Sequence, residues 1–233
     1  MLHVIDLSKE FLMHIRGGKK IISFRNVSFS LKNGEFLGLT GPSGIGKSSL
    51  LKCIYRTYIP TTGRILYTAR LGNIINLADA DEHTVLDVRE SEIGYISQFL
   101  HVIPRVSAFD VITGALASKG FNRKVCEEKA GEYLRRVGIP QTLWEMYPST
   151  FSGGEKQRLN IIHAIISKPR LLLLDEPTAS LDAGTKREVI ALIEDLKNEG
   201  TSMIGVFHDH ETMKKLADIQ LNLEADCYKE LCV

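Results

Sequence analysis

The chain has 233 residues, 44% of them hydrophobic, with 29 basic against 28 acidic side chains and a formal net charge of +1. That length is enough for one large core without disulfide or metal staples. The balanced charge gives no long-range field for gathering nucleic acid or an anionic membrane, so any anion recognition must be local.

The four cysteines, Cys53, Cys126, Cys227 and Cys232, show no C-x-x-C spacing and no interleaved histidines, and read as free, reduced thiols. The opening "MLHVIDLSKEF" reaches charged residues at once and lacks the apolar centre of a signal peptide. "LLLLDEP" is far too short to span a bilayer. The expectation is a cytoplasmic chain with no nucleic-acid partner and no direct membrane insertion.

In chain order, the first marked element is "EFLGLTG", residues 35–41, a short apolar run that reads as a buried strand. It runs into "GPSGIGKS", which fits G-x-x-x-x-G-K-[ST], and then into the apolar helical stretch "SSLLKCIY". In such a loop the backbone N–H groups of Gly41, Pro42, Ser43, Gly44, Ile45 and Gly46 lie around a phosphate chain, proline excepted for want of an N–H. Lys47 reaches the β and γ oxygens, the Ser48 hydroxyl can ligate Mg²⁺, and Ser49 follows at the helix start.

Residues 64–98 carry short mixed runs, "RILYTA", "NIINLA" and "EIGYISQ", that read as an antiparallel meander closed by Gln98. Gln98 is neutral with a donor and an acceptor, suited to Mg²⁺ and to an attacking water. Residues 109–168 read mostly as helix. In "RKVCEEKAGEYLRRVGIP", Tyr133, Leu134 and Val137 share a face and Gly138-Ile139-Pro140 ends it. Within that span "FSGGEKQR", from Phe151 to Arg158, puts Ser152, Gly153, Gly154 and Glu155 at a helix start, a phosphate cradle without a lysine.

"RLLLLDEP", residues 170–177, reads as a second buried strand and "SMIGVFHD", residues 202–209, as a third. Between them Asp182 can cap a helix with Val189, Leu192, Ile193 and Leu196 on one face and Gly200 after its C-cap, which makes a βαβ crossover. Asp175 and Glu176 fall where an α/β sheet places its ligands. Asp175 can hold Mg²⁺, and Glu176 can polarise a water for in-line attack on a γ-phosphate. His208 lies on the same edge, positioned for the γ-phosphate.

Taken together, "GPSGIGKS", Gln98, "FSGGE", "LLLLDEP", "SLD" at residues 180–182 and His208 occur in the order found in ABC-type ATPases, and the chain resembles that family over nearly its whole length. The resemblance implies a P-loop α/β fold with a mainly parallel core sheet, an antiparallel β subdomain and an inserted helical subdomain. The single domain 1–233 then divides into a nucleotide-binding core with β subdomain, 1–98 and 169–233, and a helical subdomain with the signature segment, 99–168. ATP and Mg²⁺ are the implied cofactors. Glu176, His208, Gln98 and Lys47 take the catalytic roles, and Ser48, Gln98 and Asp175 the metal.

Phe11 matches the position whose ring stacks on adenine, though a plain core role accounts for it too, and Asp182 joins the nucleotide contacts. The family works in head-to-tail pairs, so Ser152, Gly153, Gly154 and Glu155 are expected at a partner's γ-phosphate, in a homodimer or an ABC heterodimer. Phe151, Glu155 and His163 depart from the leucine, glutamine and arginine that many members carry, and Phe11 from the commoner tyrosine.

The longer runs "SQFLHVIPRVSAFDVI", "YPSTFSGGEKQRLNI", "LLLLDEPTASLDA" and "GVFHD" are similar to those of PhnL-type cassettes, the ATP-binding subunits of bacterial carbon-phosphorus lyase systems. That likeness implies soluble partners, PhnG, PhnH, PhnI, PhnJ and PhnK. It also implies a part in forming α-D-ribose 1-methylphosphonate 5-triphosphate from ATP and methylphosphonate. Two alternatives stand beside it: the ATPase of a membrane transporter, and a nucleotide-gated clamp that scarcely hydrolyses ATP.

Overall fold

A computed structural model describes residues 1–13, 19–97, 105–166, 168–179, 181–207 and 209–223. Two sheets carry the fold. The parallel one comprises β3 (Phe36–Thr40), β6 (Ile93–Ile96), β7 (Leu171–Asp175), β8 (Ser202–Val206) and β9 (Ile219–Asn222), in the order β6-β7-β8-β3-β9. Its neighbours pair in parallel throughout. The antiparallel sheet has the order β2-β1-β4-β5, from β1 (Leu2–Met13), β2 (Lys19–Leu31), β4 (Thr62–Thr68) and β5 (Ile74–Asn76).

All five residues of β7 are buried, because the sheet is covered on both faces. Alternation along the strand sorts them. Leu172 and Leu174 join a cluster with α3 (Ala108–Ala117), α4 (Arg123–Arg136), α5 (Gly153–Ile165) and α6 (Ala183–Asn198). Leu171 and Leu173 face the opposite cluster, filled by α1 (Lys47–Ile54) and the antiparallel sheet.

The β7–α6–β8 crossover is as the sequence indicates. Asp182 caps α6, accepting from the N–H groups of Gly184 and Thr185, and Val189, Leu192, Ile193 and Leu196 are the buried face. Gly200, at φ 93°, closes the helix: its N–H donates to the Lys197 carbonyl and that of Thr201 to the Leu196 carbonyl.

One expectation is corrected. "EIGYISQ" does not close an antiparallel meander: α2 (Glu82–Ser91) intervenes, and β6 joins the core sheet, pairing Ile93 with Leu171 through Ile96 with Leu174. Its four residues are buried only at the ends, Ile93 and Ile96, which is too short a stretch to display a strand period. The β1–β2 hairpin was not marked out in sequence either. Between Val4↔Phe29 and Leu7↔Val27 β1 has one residue more than β2. The bulge sits at Asp6, φ 47°, and puts Leu7 on the buried face with Leu2 and Val4 at an odd spacing.

Candidate functional site

The core strands deliver Thr40, Asp175 and Val206 to one edge of the sheet, and the loop after β3 curls there into α1. Gly46 caps α1 in the left-handed region, φ 103°, and a Cβ there would run into the backbone carbonyl of Ser23 on β2. Glycine is therefore required for both conformation and space. Gly41, Ser43, Gly44, Gly46, Lys47, Ser48 and Ser49 line a cavity of about 330 Å³ together with Ser23, Glu176 and Val206. Pro42 supplies a carbonyl instead, and Ile45 packs on the core below.

Lys47 Nζ donates to the carbonyls of Gly41, 2.7 Å, and Pro42, 2.8 Å, which holds the ammonium over the loop. Burial lowers its pKa, and the negative charge of Glu176 opposes that fall. The Ser48 hydroxyl donates to Asp175 Oδ1 at 2.7 Å, and the Tyr95 hydroxyl donates to Asp175 Oδ2 at 2.9 Å. Tyr95 titrates well above the ordinary phenol, first through burial and then through the neighbouring Asp175 charge.

Mg²⁺ has a fitting donor set here. Octahedral coordination with oxygens at 2.0–2.1 Å places adjacent ligands about 2.9 Å apart, close to the Ser48–Asp175 separation. Among the described residues no group of three or more His, Cys, Asp or Glu could hold a metal. The remaining ligands would have to come from phosphate and water, as Mg²⁺ usually takes them.

Glu176 follows directly, with its own backbone in the left-handed region at φ 53°. Its N–H donates to the Val206 carbonyl, 3.1 Å, which ties the turn to β8.

The signature segment is elsewhere. Ser152 caps α5 in a reciprocal pair: its hydroxyl accepts from the Glu155 N–H, and its N–H donates to the Glu155 carboxylate at 2.8 Å. Those hydrogen bonds hold the Glu155 carboxyl below its usual range. The Glu155 charge is thus drawn back onto the helix start. Ser152 and Gly153 are exposed, and nothing lies within 4 Å of a Cβ placed on Gly153. None of Ser152, Gly153, Gly154 and Glu155 lines the P-loop cavity.

Phe11 does not line it either. Its ring is half-buried, edge-on to Tyr58 at 5.2 Å, with Lys9 Nζ 4.8 Å from its centroid. Gln98 and His208 lie outside the described residues, as do Ser180 and residues 99–104. His163 is exposed and lines a cleft of about 530 Å³ with Tyr55, Arg89, Tyr95 and Lys119.

Sequence reasoning missed Tyr95, Gln157 and Asn160. The last two are buried on α5: Gln157 Nε2 donates to the carbonyls of Pro177, 3.2 Å, and Ser97, 3.3 Å, and Asn160 Nδ2 to Ser97, 2.9 Å. Their only sequence signal is that amides occupy positions on the apolar face of a helix.

A glycine loop between a parallel strand and a helix, facing a carboxylate at the end of a neighbouring strand, defines a P-loop nucleoside-triphosphatase fold. More particularly, the chain belongs to the ABC transporter family, whose profile matches residues 24–179. YvrO of Bacillus subtilis (strain 168), an uncharacterized ABC transporter ATP-binding protein, is 31% identical over 215 residues, covering 92% of this chain and 90% of its own. GlnQ of Escherichia coli (strain K12), a glutamine transport ATP-binding protein, is 34% identical over 218 residues, covering 93% and 85%. The dimeric cassette MJ0796, in a post-hydrolysis state bound to ADP and Pi, superposes with a TM-score of 0.84 at 27% identity over 96% of this chain and 94% of that one.

Proposed function

We propose that this chain binds ATP with Mg²⁺ and hydrolyses it as one half of a pair of cassettes, each lending its Ser152–Gly154 segment to the γ-phosphate held by the other. One observation carries this reading. Ser48 and Asp175 stand 2.7 Å apart beside a cavity lined by Lys47 and Glu176, while the second phosphate cradle lies off that cavity. A cradle that does not line its own subunit's site is explained by a partner's phosphate.

In this reading the loop N–H groups and Lys47 hold the phosphate chain. Ser48 and Asp175 would hold Mg²⁺, which when bound would supply positive charge against that building on the phosphate oxygens. Glu176 orients a water and takes its proton as the water attacks in line. The signature helix start adds N–H donors and a favourable dipole from the partner. MJ0796 was captured as a dimer with ADP and Pi, which supports pairing and turnover.

Glu176→Gln should lower steady-state phosphate release about 10²-fold or more and accumulate an ATP-bound dimer in size exclusion. An unchanged rate removes Glu176 as the base. Ser152→Arg should abolish hydrolysis and dimerisation while the monomer still binds ATP. Loss of ATP binding by that monomer would place the segment in its own subunit's site.

For the partner, the names of YvrO, an ABC transporter ATP-binding protein, and GlnQ, a glutamine transport ATP-binding protein, favour a transporter. Among the described residues no helix is long and apolar enough to cross a membrane. A second reading, the PhnL-type subunit of a carbon-phosphorus lyase, rests on the long sequence runs alone. ATP binding would then close the pair on a soluble enzyme core. Affinity capture from cells grown on methylphosphonate separates the two: a permease without lyase subunits leaves the transporter reading, and PhnG, PhnH, PhnI or PhnJ establishes the other.

A further inference from the structure

The left-handed backbone at Glu176 needs an account. A non-glycine residue there costs about 1–2 kcal/mol, and it persists only where its neighbours over-determine it. Three hydrogen bonds do so, one of them local: the Ala179 N–H donates to the Glu176 carbonyl at 3.3 Å, and the other two tie the turn to its neighbours. On one side the Glu176 N–H donates to Val206, a continuation of the β7–β8 pairing. On the other, the carbonyl of Pro177 accepts from Gln157 Nε2, a side chain belonging to the helix that carries the signature segment.

Gln157 is 4% exposed and uses both amide hydrogens, the second on Ser97 at the exit of β6. Asn160, three residues along the same helix, donates to Ser97 as well. Two buried amides thus fasten α5 to the exits of the two neighbouring strands β6 and β7. A leucine at 157 would fill much the same volume without the cost of desolvating an amide, so space-filling alone does not account for glutamine here.

We infer that Gln157 is a positioning residue for Glu176, transmitting the seating of the signature helix to the backbone that aims the carboxylate. The inference rests on the hydrolytic role proposed for Glu176. Gly153 and Gln157 are four residues apart on one rigid helix, about 6 Å along its axis. Any shift of α5 as a partner's phosphate engages Ser152–Gly154 therefore moves the donor on the Pro177 carbonyl, and with it the strained peptide at Glu176. Each subunit's own signature helix then reports partner engagement to its own base.

The test compares Gln157→Leu, which removes both donors, with Asn160→Ala, which removes only a bond to Ser97. Gln157→Leu should lower kcat for ATP about tenfold or more, since an ångström of misplacement at a reacting group is worth up to about 10²-fold. KM for ATP should stay within about twofold. Because ATP is then held but turned over slowly, the variant should accumulate dimer in size exclusion with ATP and Mg²⁺, as Glu176→Gln does. Asn160→Ala should keep kcat within about threefold of the wild type. Should the leucine variant not fold, Gln157→Met, unbranched and adaptable in packing, takes its place.

Wild-type kcat in the Gln157 variant overturns the inference. So does a loss of rate by both variants in step with their loss of melting temperature and without dimer accumulation, which is what a purely structural amide predicts. Glu176→Gln assayed alongside separates the two levels. If it keeps its rate, the hydrolytic role itself has failed; if it loses its rate while Gln157→Leu does not, only the positioning role has.

Discussion

Asp175 is held at both oxygens: Ser48 donates to Oδ1 and Tyr95 to Oδ2. The second bond fixes the rotation of the carboxylate and leaves Oδ1 beside Ser48, the two groups that would hold a metal. Outer partners of this kind are worth about 10–100-fold in metal affinity. Tyr95→Phe keeps the ring, which stacks on Tyr55 at 4.9 Å, and removes only the donor. The Mg²⁺ concentration giving half-maximal tightening of fluorescent ATP should therefore rise about tenfold, with nucleotide affinity in EDTA unchanged. An unaltered Mg²⁺ midpoint would leave the hydroxyl with no part in the metal site. Lys47, Ser48, Asp175 and Glu176 were legible because each belongs to a contiguous motif whose spacing encodes its geometry. Tyr95 and Gln157 were not, because each acts through a partner about 80 or 20 residues away, a distance that only the folded sheet and helix close.

At the scale of elements, local chemistry spoke where punctuation was strong. Asp182 at the start of α6 and Gly200 after its end bracket a periodic apolar face, and the helix forms between them. Nothing lies within 4 Å of a Cβ on Gly200, so Gly200→Ala isolates the cost of the left-handed backbone at φ 93°. It should destabilise the protein by about 1 kcal/mol, a fall of about 2–4 °C in melting temperature for a chain of this size. Calorimetry should find nucleotide affinity unaffected, and a fall beyond about 10 °C would mean that the Gly200 turn carries contacts beyond its own backbone. Where punctuation was weak the reading failed. β6 has four residues and no period, and its place beside β7 follows from non-local pairing of Ile93–Ile96 with Leu171–Leu174. β1 conceals its alternation because the extra residue at Asp6 reverses the face that follows.

The whole molecule depends on joining its two sheets, and Glu92 is a polar link between them. It sits between α2 and β6, 12% exposed at the side chain, and accepts from the Tyr67 hydroxyl at 2.7 Å, from the Arg70 N–H at 3.0 Å and from Arg170 Nη1 at 3.0 Å. Tyr67 belongs to the antiparallel sheet, while Arg170 leads into β7 of the parallel one. Its partners Arg70 and Arg170 stand 22 and 78 residues away along the chain, so the link exists only in the folded sheets. Burial pushes the Glu92 carboxyl up, but the hydrogen bonds from Arg70, Tyr67 and Arg170 outweigh it and hold the group below its ordinary value.

A depressed carboxyl binds its proton less readily folded than unfolded. Its stabilisation is therefore complete above the unfolded value, about 4.3, and disappears as pH falls through the folded one. Removing one partner from a buried ion pair costs about 3–5 kcal/mol; since Arg170 is 25% exposed at its side chain, the lower end applies. Glu92→Ala should thus unfold in urea with about 3 kcal/mol less stability at pH 7, and the difference from the wild type should shrink steadily as pH is lowered from 5 towards 3. A difference that stays constant over that range would mean that Glu92 joins the sheets by packing alone, and that the charge on its carboxylate contributes nothing to holding the start of β6 and β7 against the antiparallel layer.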